Sequence, residues 1–173
     1  TGGFLRIGAH STLSQASHYS PAITVTDGHA EIGHHNIFNA GLYVRFGGAI
    51  KIGQYTVVKQ GTEIRCEEKI DIGDFCMISY ECLIFDTNTH TILPAETRRA
   101  MTIRDFPGIG GENTRPKTSP VIIGNDVWIG QRAAVLKGAS IGDESIVGLG
   151  AVVTHTVPFR CLAIGNPARI VIR

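Results

Sequence analysis

A six-residue period runs through the C-terminal part of this chain and constrains its fold more than any other feature. From Val121 to Val157, apolar residues recur at Ile123, Ile129, Val135, Ile141, Val147 and Val153. Small or β-branched residues follow four places after each, at Val127, Ala133, Ala139, Ser145, Ala151 and Val157. An amphipathic helix would repeat every ~3.6 residues and a half-buried strand every ~2, so a period of six predicts a solenoid in which each hexad forms one short flat face. Gly124, Gly130, Gly142 and Gly148 directly follow four of the anchors, where the missing Cβ is expected to let the chain bend between faces. Ile141 lies 18 residues after Ile123, so three hexads make one triangular coil.

A second signature, apolar-x-Ile-Gly, marks the start of each coil from the N-terminus onward. Its isoleucines are Ile7, Ile32, Ile52, Ile72, Ile123 and Ile141, spaced by 25, 20, 20, 51 and 18 residues. A spacing of 20 reads as a coil of 18 with two residues inserted at a corner, and 51 requires a major interruption. About six coils stacked at ~4.8 Å would give a prism roughly 30 Å tall. The first coil is the least regular, since Ala16 to Tyr19 and the Ser20-Pro21 step break the pattern. The hexad phase is lost after Ile84 and returns at Pro120. Between them, Asp86 to Ser119 contain Pro94, Pro107, Pro116, the Gly108-Ile109-Gly110-Gly111 cluster and the basic residues Arg98, Arg99, Arg104, Arg115 and Lys117. A short helix is expected around Ala95 to Met101. A long excursion from an economical solenoid is read as functional.

Composition narrows the partners. The chain has 173 residues, 43% hydrophobic and only 7% aromatic, with 21 glycines. That suits a narrow core of stacked Ile, Val and Ala in a single domain spanning 1–173. A net charge of +1 with interspersed signs gives no basic field, so nucleic acid is not an expected partner. No apolar run approaches the ~18 residues of a membrane span, and no charged start leads into a hydrophobic signal segment, so a soluble, cytoplasmic protein is expected. Cys66, Cys76, Cys82 and Cys161 form no C-x-x-C pair, and Cys76 and Cys82 fall on small-residue positions, where they read as packing groups.

The hexads, the segment Asn125-Asp126-Val127-Trp128-Ile129-Gly130, the closing Gly148-Leu149-Gly150-Ala151-Val152-Val153-Thr154 and the tail Gly165-Asn166-Pro167-Ala168-Arg169 together resemble the hexapeptide-repeat acyltransferases. The nearest group contains the galactoside, maltose, xenobiotic and polysaccharide O-acetyltransferases, and the resemblance covers about residues 50 to 173. It implies an all-β fold, a left-handed parallel β-helix with one long inserted loop at about 86–120. It also implies a homotrimer, acetyl-CoA as donor, no metal, and a histidine general base at the root of the loop, which matches His90. Of the positions that hold coenzyme A between neighbouring subunits, Gln131, Leu149 and Thr154 match. His155, Arg160, Arg169 and Arg173 are candidates for the nucleotide phosphates, Arg169 matching best. Leu149 stands where Ala is common, and His155 where Lys is common. The sugar enzymes carry an Asn near Lys59-Gln60-Gly61 that this chain lacks, so acceptor recognition does not carry over.

The chemistry is consistent with that resemblance. Acetyl transfer from a thioester to a hydroxyl needs a base for the hydroxyl proton, and an imidazole, with an ordinary pKa near ~6.5, suits the task. Its other ring nitrogen needs an orienting acceptor, for which Asp86 and Glu81 are both candidates. In similar enzymes the matching Trp lines the acceptor and thioester site, which places Trp128 there, its indole N–H a donor to developing negative charge. The expected reaction is O-acetylation of a sugar or glycan precursor, with N-acetylation of an amino sugar as the alternative. Two further readings use the same scaffold. A metal enzyme similar to γ-class carbonic anhydrases would draw on His29 and His34, whose spacing two zinc ligands can use, and a non-enzymatic trimeric scaffold would need neither His90 nor Trp128.

Overall fold

The computed structural model describes residues 2–13, 23–106 and 115–172. Three parallel sheets form the faces of a prism. The first runs Phe4–Ile7, Gly28–Ile32, Gly48–Ile52, Lys69–Ile72, Val121–Ile123 and Ser140–Ile141. The second runs Thr12–Leu13, Ile37–Phe38, Val57–Val58, Met77–Ile78, Trp128–Ile129, Ile146–Val147 and Cys161–Ile164. The third runs Ile23–Val25, Gly41–Val44, Glu63–Cys66, Leu83–Phe85, Ala134–Val135 and Val152–Val153. The chain visits the faces in that order, which makes the fold a parallel β-helix built from hexapeptide repeats.

Equivalent residues of successive coils lie in register, so each coil-starting isoleucine stacks on the next: Ile32 on Ile52, Ile52 on Ile72, Ile72 on Ile123 and Ile123 on Ile141. These anchors and the small residues four places later fill the interior and are almost wholly shielded from solvent. Where an interior small residue is polar, its side chain bonds the adjoining coil. Asn36 Nδ2 donates to the Gly33 and Gly53 carbonyls, Thr56 Oγ1 to Gly73, and Ser145 Oγ to Pro158. A buried hydroxyl or amide is tolerated because it is satisfied.

The glycine after each anchor has a different task from the one expected. Gly124, Gly130, Gly142 and Gly148 are not in the left-handed region; the sharp bend comes two residues later, where His35, Tyr55, Phe75, Glu81, Asp126, Arg132 and Glu144 all have φ between 53° and 59°. The glycines serve close approach instead. A Cβ on Gly73 would lie 2.6 Å from the Gly124 carbonyl oxygen and 2.6 Å from Asn125 Oδ1. Gly73→Ala is therefore expected to force two coils apart and cost about 1–3 kcal/mol, read as a lower denaturant midpoint.

Two other expectations change. The extra two residues in the coils of 20 lengthen strands and do not swell a corner: Glu63–Cys66 and Lys69–Ile72 have four residues each, against two in Ala134–Val135 and Ser140–Ile141. The tail Gly165-Asn166-Pro167-Ala168 turns a hairpin, in which Arg169–Ile172 pairs antiparallel with Cys161–Ile164 and closes that end of the second sheet. The long interruption leaves the stack unbroken, because Ile70 pairs directly with Val121 across it. Within it an α-helix spans Ala95–Asp105, longer than expected and with no buried residue. The irregular segment from Ala16 to Pro21, the 108–111 glycine cluster and Arg173 lie outside the described residues. Among those described, no helix is long and apolar enough to cross a membrane.

Candidate active site

The inserted loop leaves the prism at the edge between the third and first sheets, and its root is built from buried polar groups. Asp86 follows strand Leu83–Phe85 and is fully buried. Its carboxylate accepts the backbone N–H of Glu67 at 2.9 Å, of Glu68 at 2.8 Å and of Lys69 at 2.8 Å, all from the preceding coil. Burial pushes this carboxyl above the ordinary range, and the three amides pull the other way without overcoming it. Asp86 thus pins the loop root to the coil before it. Both of its oxygens are engaged by backbone.

A second buried carboxylate continues the network. Glu67 accepts from Arg45 Nε at 2.6 Å and from Thr87 Oγ1 at 2.7 Å. Thr87 Oγ1 in turn accepts the Thr89 N–H at 3.0 Å, and Arg45 Nη2 reaches the Thr89 carbonyl at 3.4 Å. Thr89 sits at φ 63°, a backbone state a β-branched residue adopts only when its surroundings hold it. His90 comes next and is exposed. Sequence reasoning missed Arg45 and Glu67. A Glu-Glu pair at a corner reads as solvated charge, and only contacts 20 or more residues away bury Glu67.

The outgoing and returning limbs of the loop are clasped. Thr87 and Thr118 form an antiparallel bridge, Asn88 N–H donates to the Lys117 carbonyl at 3.0 Å, and Ser119 N–H to the Asp86 carbonyl at 2.9 Å. The loop therefore begins and ends on one rigid two-stranded stem.

The other predicted residues divide between two edges of the prism. Glu81 lies at the far end of strand Leu83–Phe85 from Asp86, roughly 16 Å of extended chain away, on the edge between the second and third sheets. There it pairs with Arg132, Nε to Oε2 at 2.6 Å, and that guanidinium lowers its pKa. Gln131 and Leu149 stack on the same edge, Gly150 N–H donating to the Gln131 carbonyl at 2.9 Å. Leu149 is 75% exposed. Thr154 and His155 sit instead on the edge carrying the loop, two coils beyond its root, with Thr154 Oγ1 3.3 Å from His155 Nδ1. Trp128 is 49% exposed on the outer face of the second sheet, in register between Met77 and Ile146. Arg169 is exposed on the terminal hairpin. Arg160 is exposed and engaged by both oxygens of Glu144.

All four cysteines are free and buried. Burial pushes the Cys76 thiol up to about 11, and raises Cys66 and Cys82 as well. The packing reading of Cys76 and Cys82 stands, and neither is a nucleophile at neutral pH. The native protein should resist iodoacetamide at pH 8 and take up four equivalents only once denatured, as read by intact mass.

Residues 120–155 match the family model described as the hexapeptide repeat of succinyl-transferase. The chain's fold matches a hexapeptide-repeat β-helix. Relatives of the hexapeptide-repeat chain are named acetyltransferases. A Staphylococcus aureus protein so named is 46% identical over 55 residues, 32% of this chain and 28% of its own length. The galactoside O-acetyltransferase of Escherichia coli is 28% identical over 130 residues, 75% of this chain and 57% of its own. The chain thus spans less than two thirds of the curated relatives it matches. Among solved structures, the hexapeptide-repeat acetyltransferase of Vibrio cholerae complexed with acetyl-coenzyme A is 28% identical with a TM-score of 0.64. That similarity covers 81% of this chain and 68% of that one.

Proposed function

We propose that this chain transfers an acetyl group from acetyl-CoA to a hydroxyl of a sugar or glycan precursor, with His90 as general base. The observation that carries the reading is the loop root. Two buried carboxylates, a buried-facing arginine and a clasped stem hold the backbone at Thr89 in a strained state, and the residue presented at its tip is a histidine. A scaffold has no use for that arrangement. The relatives named above supply the reaction class.

In this mechanism the acceptor hydroxyl attacks the thioester carbonyl carbon while the His90 imidazole takes the hydroxyl proton. The carbon–sulfur bond breaks as the tetrahedral intermediate collapses, and the proton passes to the departing thiolate of coenzyme A. Trp128 lines the acceptor pocket. Gln131, Leu149 and Thr154 hold the pantetheine arm, and His155 and Arg169 meet the nucleotide phosphates.

Those residues lie on two different edges of one prism, which supports a site shared between copies of the chain in a homotrimer. One copy supplies the edge with His90, Thr154 and His155; its neighbour supplies the edge with Gln131 and Leu149. The apolar row Ile37, Met77 and Trp128 along the second sheet gives a neighbour a surface to cover. With this geometry, Glu81 reaches a His90 only across the interface.

The test is transfer of labelled acetyl from acetyl-CoA to a panel of galactosides, other neutral sugars and amino sugars, followed by neutral hydroxylamine. Label on a sugar that hydroxylamine releases is an ester and supports O-acetylation. Resistant label on amino sugars alone would give the N-acetylation alternative, and no labelled product from any acceptor would overturn the reading.

A further inference from the structure

A cavity of about 600 Å³ lies beside the loop stem, lined by Glu68, Arg115, Pro116, Lys117, Thr118 and Lys137. Among these described lining residues, three cations stand against one carboxylate. They come from two limbs that backbone hydrogen bonds hold together: Arg115 and Lys117 from the returning limb of the loop, and Lys137 from the corner after strand Ala134–Val135. Gly138 N–H donates to the Ser119 and Pro120 carbonyls, both at 3.1 Å, fixing the Lys137 corner against the stem. Pro116 is buried and Lys137 half-buried, while Arg115 and Lys117 are exposed, so the recess is open to solvent with Pro116 in its lining.

The position of this recess follows from the register of the clasp. Thr87 opposes Thr118 and Asn88 bonds Lys117. His90 lies two residues beyond Asn88 on the outgoing limb, and Arg115 two residues before Lys117 on the returning one. The concentration of positive charge is therefore on the base's own stem. A concave surface with an excess of positive charge attracts negative charge, and lysine ammonium and arginine guanidinium groups are the donors that carboxylates and phosphates take.

We propose that this recess binds an anionic group of the acceptor, a carboxylate or a phosphate, so that the substrate class is an acidic sugar whose reacting hydroxyl is placed at His90. The assignment of the hydroxyl rests on the acetyltransferase reading above; the binding of the anion does not. The phosphates of coenzyme A are the competing occupant. His155, given to those phosphates above, stands on the same edge one coil beyond Lys137, so the two occupants are separated by the experiment.

The experiment has two arms. In the first, without acetyl-CoA, binding of galactose, galacturonate and a galactose phosphate ester to the full chain is measured by calorimetry, for the wild type and for Lys117→Gln and Lys137→Gln. Acidic sugars should bind at least about tenfold more tightly than galactose. Either substitution should remove most of that preference, and added salt should weaken it because the recess is open to solvent. Whichever acidic sugar binds more tightly identifies the anion. In the second arm, transfer kinetics should show the preference in the acceptor KM, with the KM for acetyl-CoA unchanged in the variants. Equal binding of neutral and acidic sugars would overturn the inference. So would variants that weaken coenzyme A but not the acidic sugar, since the recess would then belong to the coenzyme's phosphates. Tight, lysine-dependent binding of acidic sugars with no transfer to any acceptor would leave this inference standing and sink the acetyltransferase reading.

Discussion

Replacing His90 by alanine is expected to lower kcat for acetyl transfer by about 10² to 10⁴, the contribution of a positioned general base. The KM for acetyl-CoA should change little, because the imidazole acts on the acceptor proton and touches the donor only at its reacting end. Stability should change little, since His90 is exposed and the backbone at Thr89 is held by Thr87, Glu67 and Arg45. A fall in kcat at constant melting temperature separates a chemical role from a structural one. Thermal unfolding and steady-state kinetics on the same preparation supply both numbers.

The second large effect is on the fold. Asp86→Ala should cost several kcal/mol, about 3–5, because it removes the buried acceptor of the Glu67, Glu68 and Lys69 amides, the buried Glu67 amide carrying the full cost of an unsatisfied group, about 1–3 kcal/mol, and the other two part of it. For a chain of this length that is a drop in melting temperature of about 10 °C or more. In a solenoid each coil contacts only its neighbours, so the loss should begin locally. Hydrogen exchange is expected to accelerate first at residues 67–69 and across the Thr87–Thr118 clasp, while the coils from Val121 onward retain protection. Activity should fall with it, since His90 loses its support. Asp86→Asn keeps one acceptor oxygen and should recover part of the stability. If Asp86 served only to orient the imidazole, the alanine variant would lose rate and keep its melting temperature.

The interior of this protein was legible because a hexad repeats a physical requirement, one large anchor and one small inward residue per face, and repetition makes it visible without an alignment. Ile72, Ile123 and Ile141 could be placed on one stack although 51 residues separate the first two. The role of glycine was misjudged for an equally physical reason. A residue without Cβ is favoured both by a left-handed bend and by close approach of a neighbouring strand, and the sequence at Gly73 is the same in either case. Only the 2.6 Å that a Cβ there would leave to the Gly124 carbonyl oxygen decides between them.

The candidate site was legible in part. His90 could be found by its place at the base of the interruption. Its support could not, because the burial of Glu67 and the engagement of Asp86 depend on a fold in which residues about 20 apart become neighbours. Asp86 and Glu81 were interchangeable as carboxylates in the sequence. In the structure they differ in every respect that matters: one is buried and held by three amides at the loop root, the other is exposed at the opposite edge and paired with Arg132.

The central claim, direct transfer from acetyl-CoA to an acceptor with a histidine base, is tested most directly by following coenzyme A release with and without acceptor while recording the intact mass of the protein. The account predicts release only when a competent acceptor is present, no acetylated protein at any time, and loss of release in His90→Ala. An acetyl group accumulating on the protein, or turnover in His90→Ala equal to that of the wild type, would contradict it.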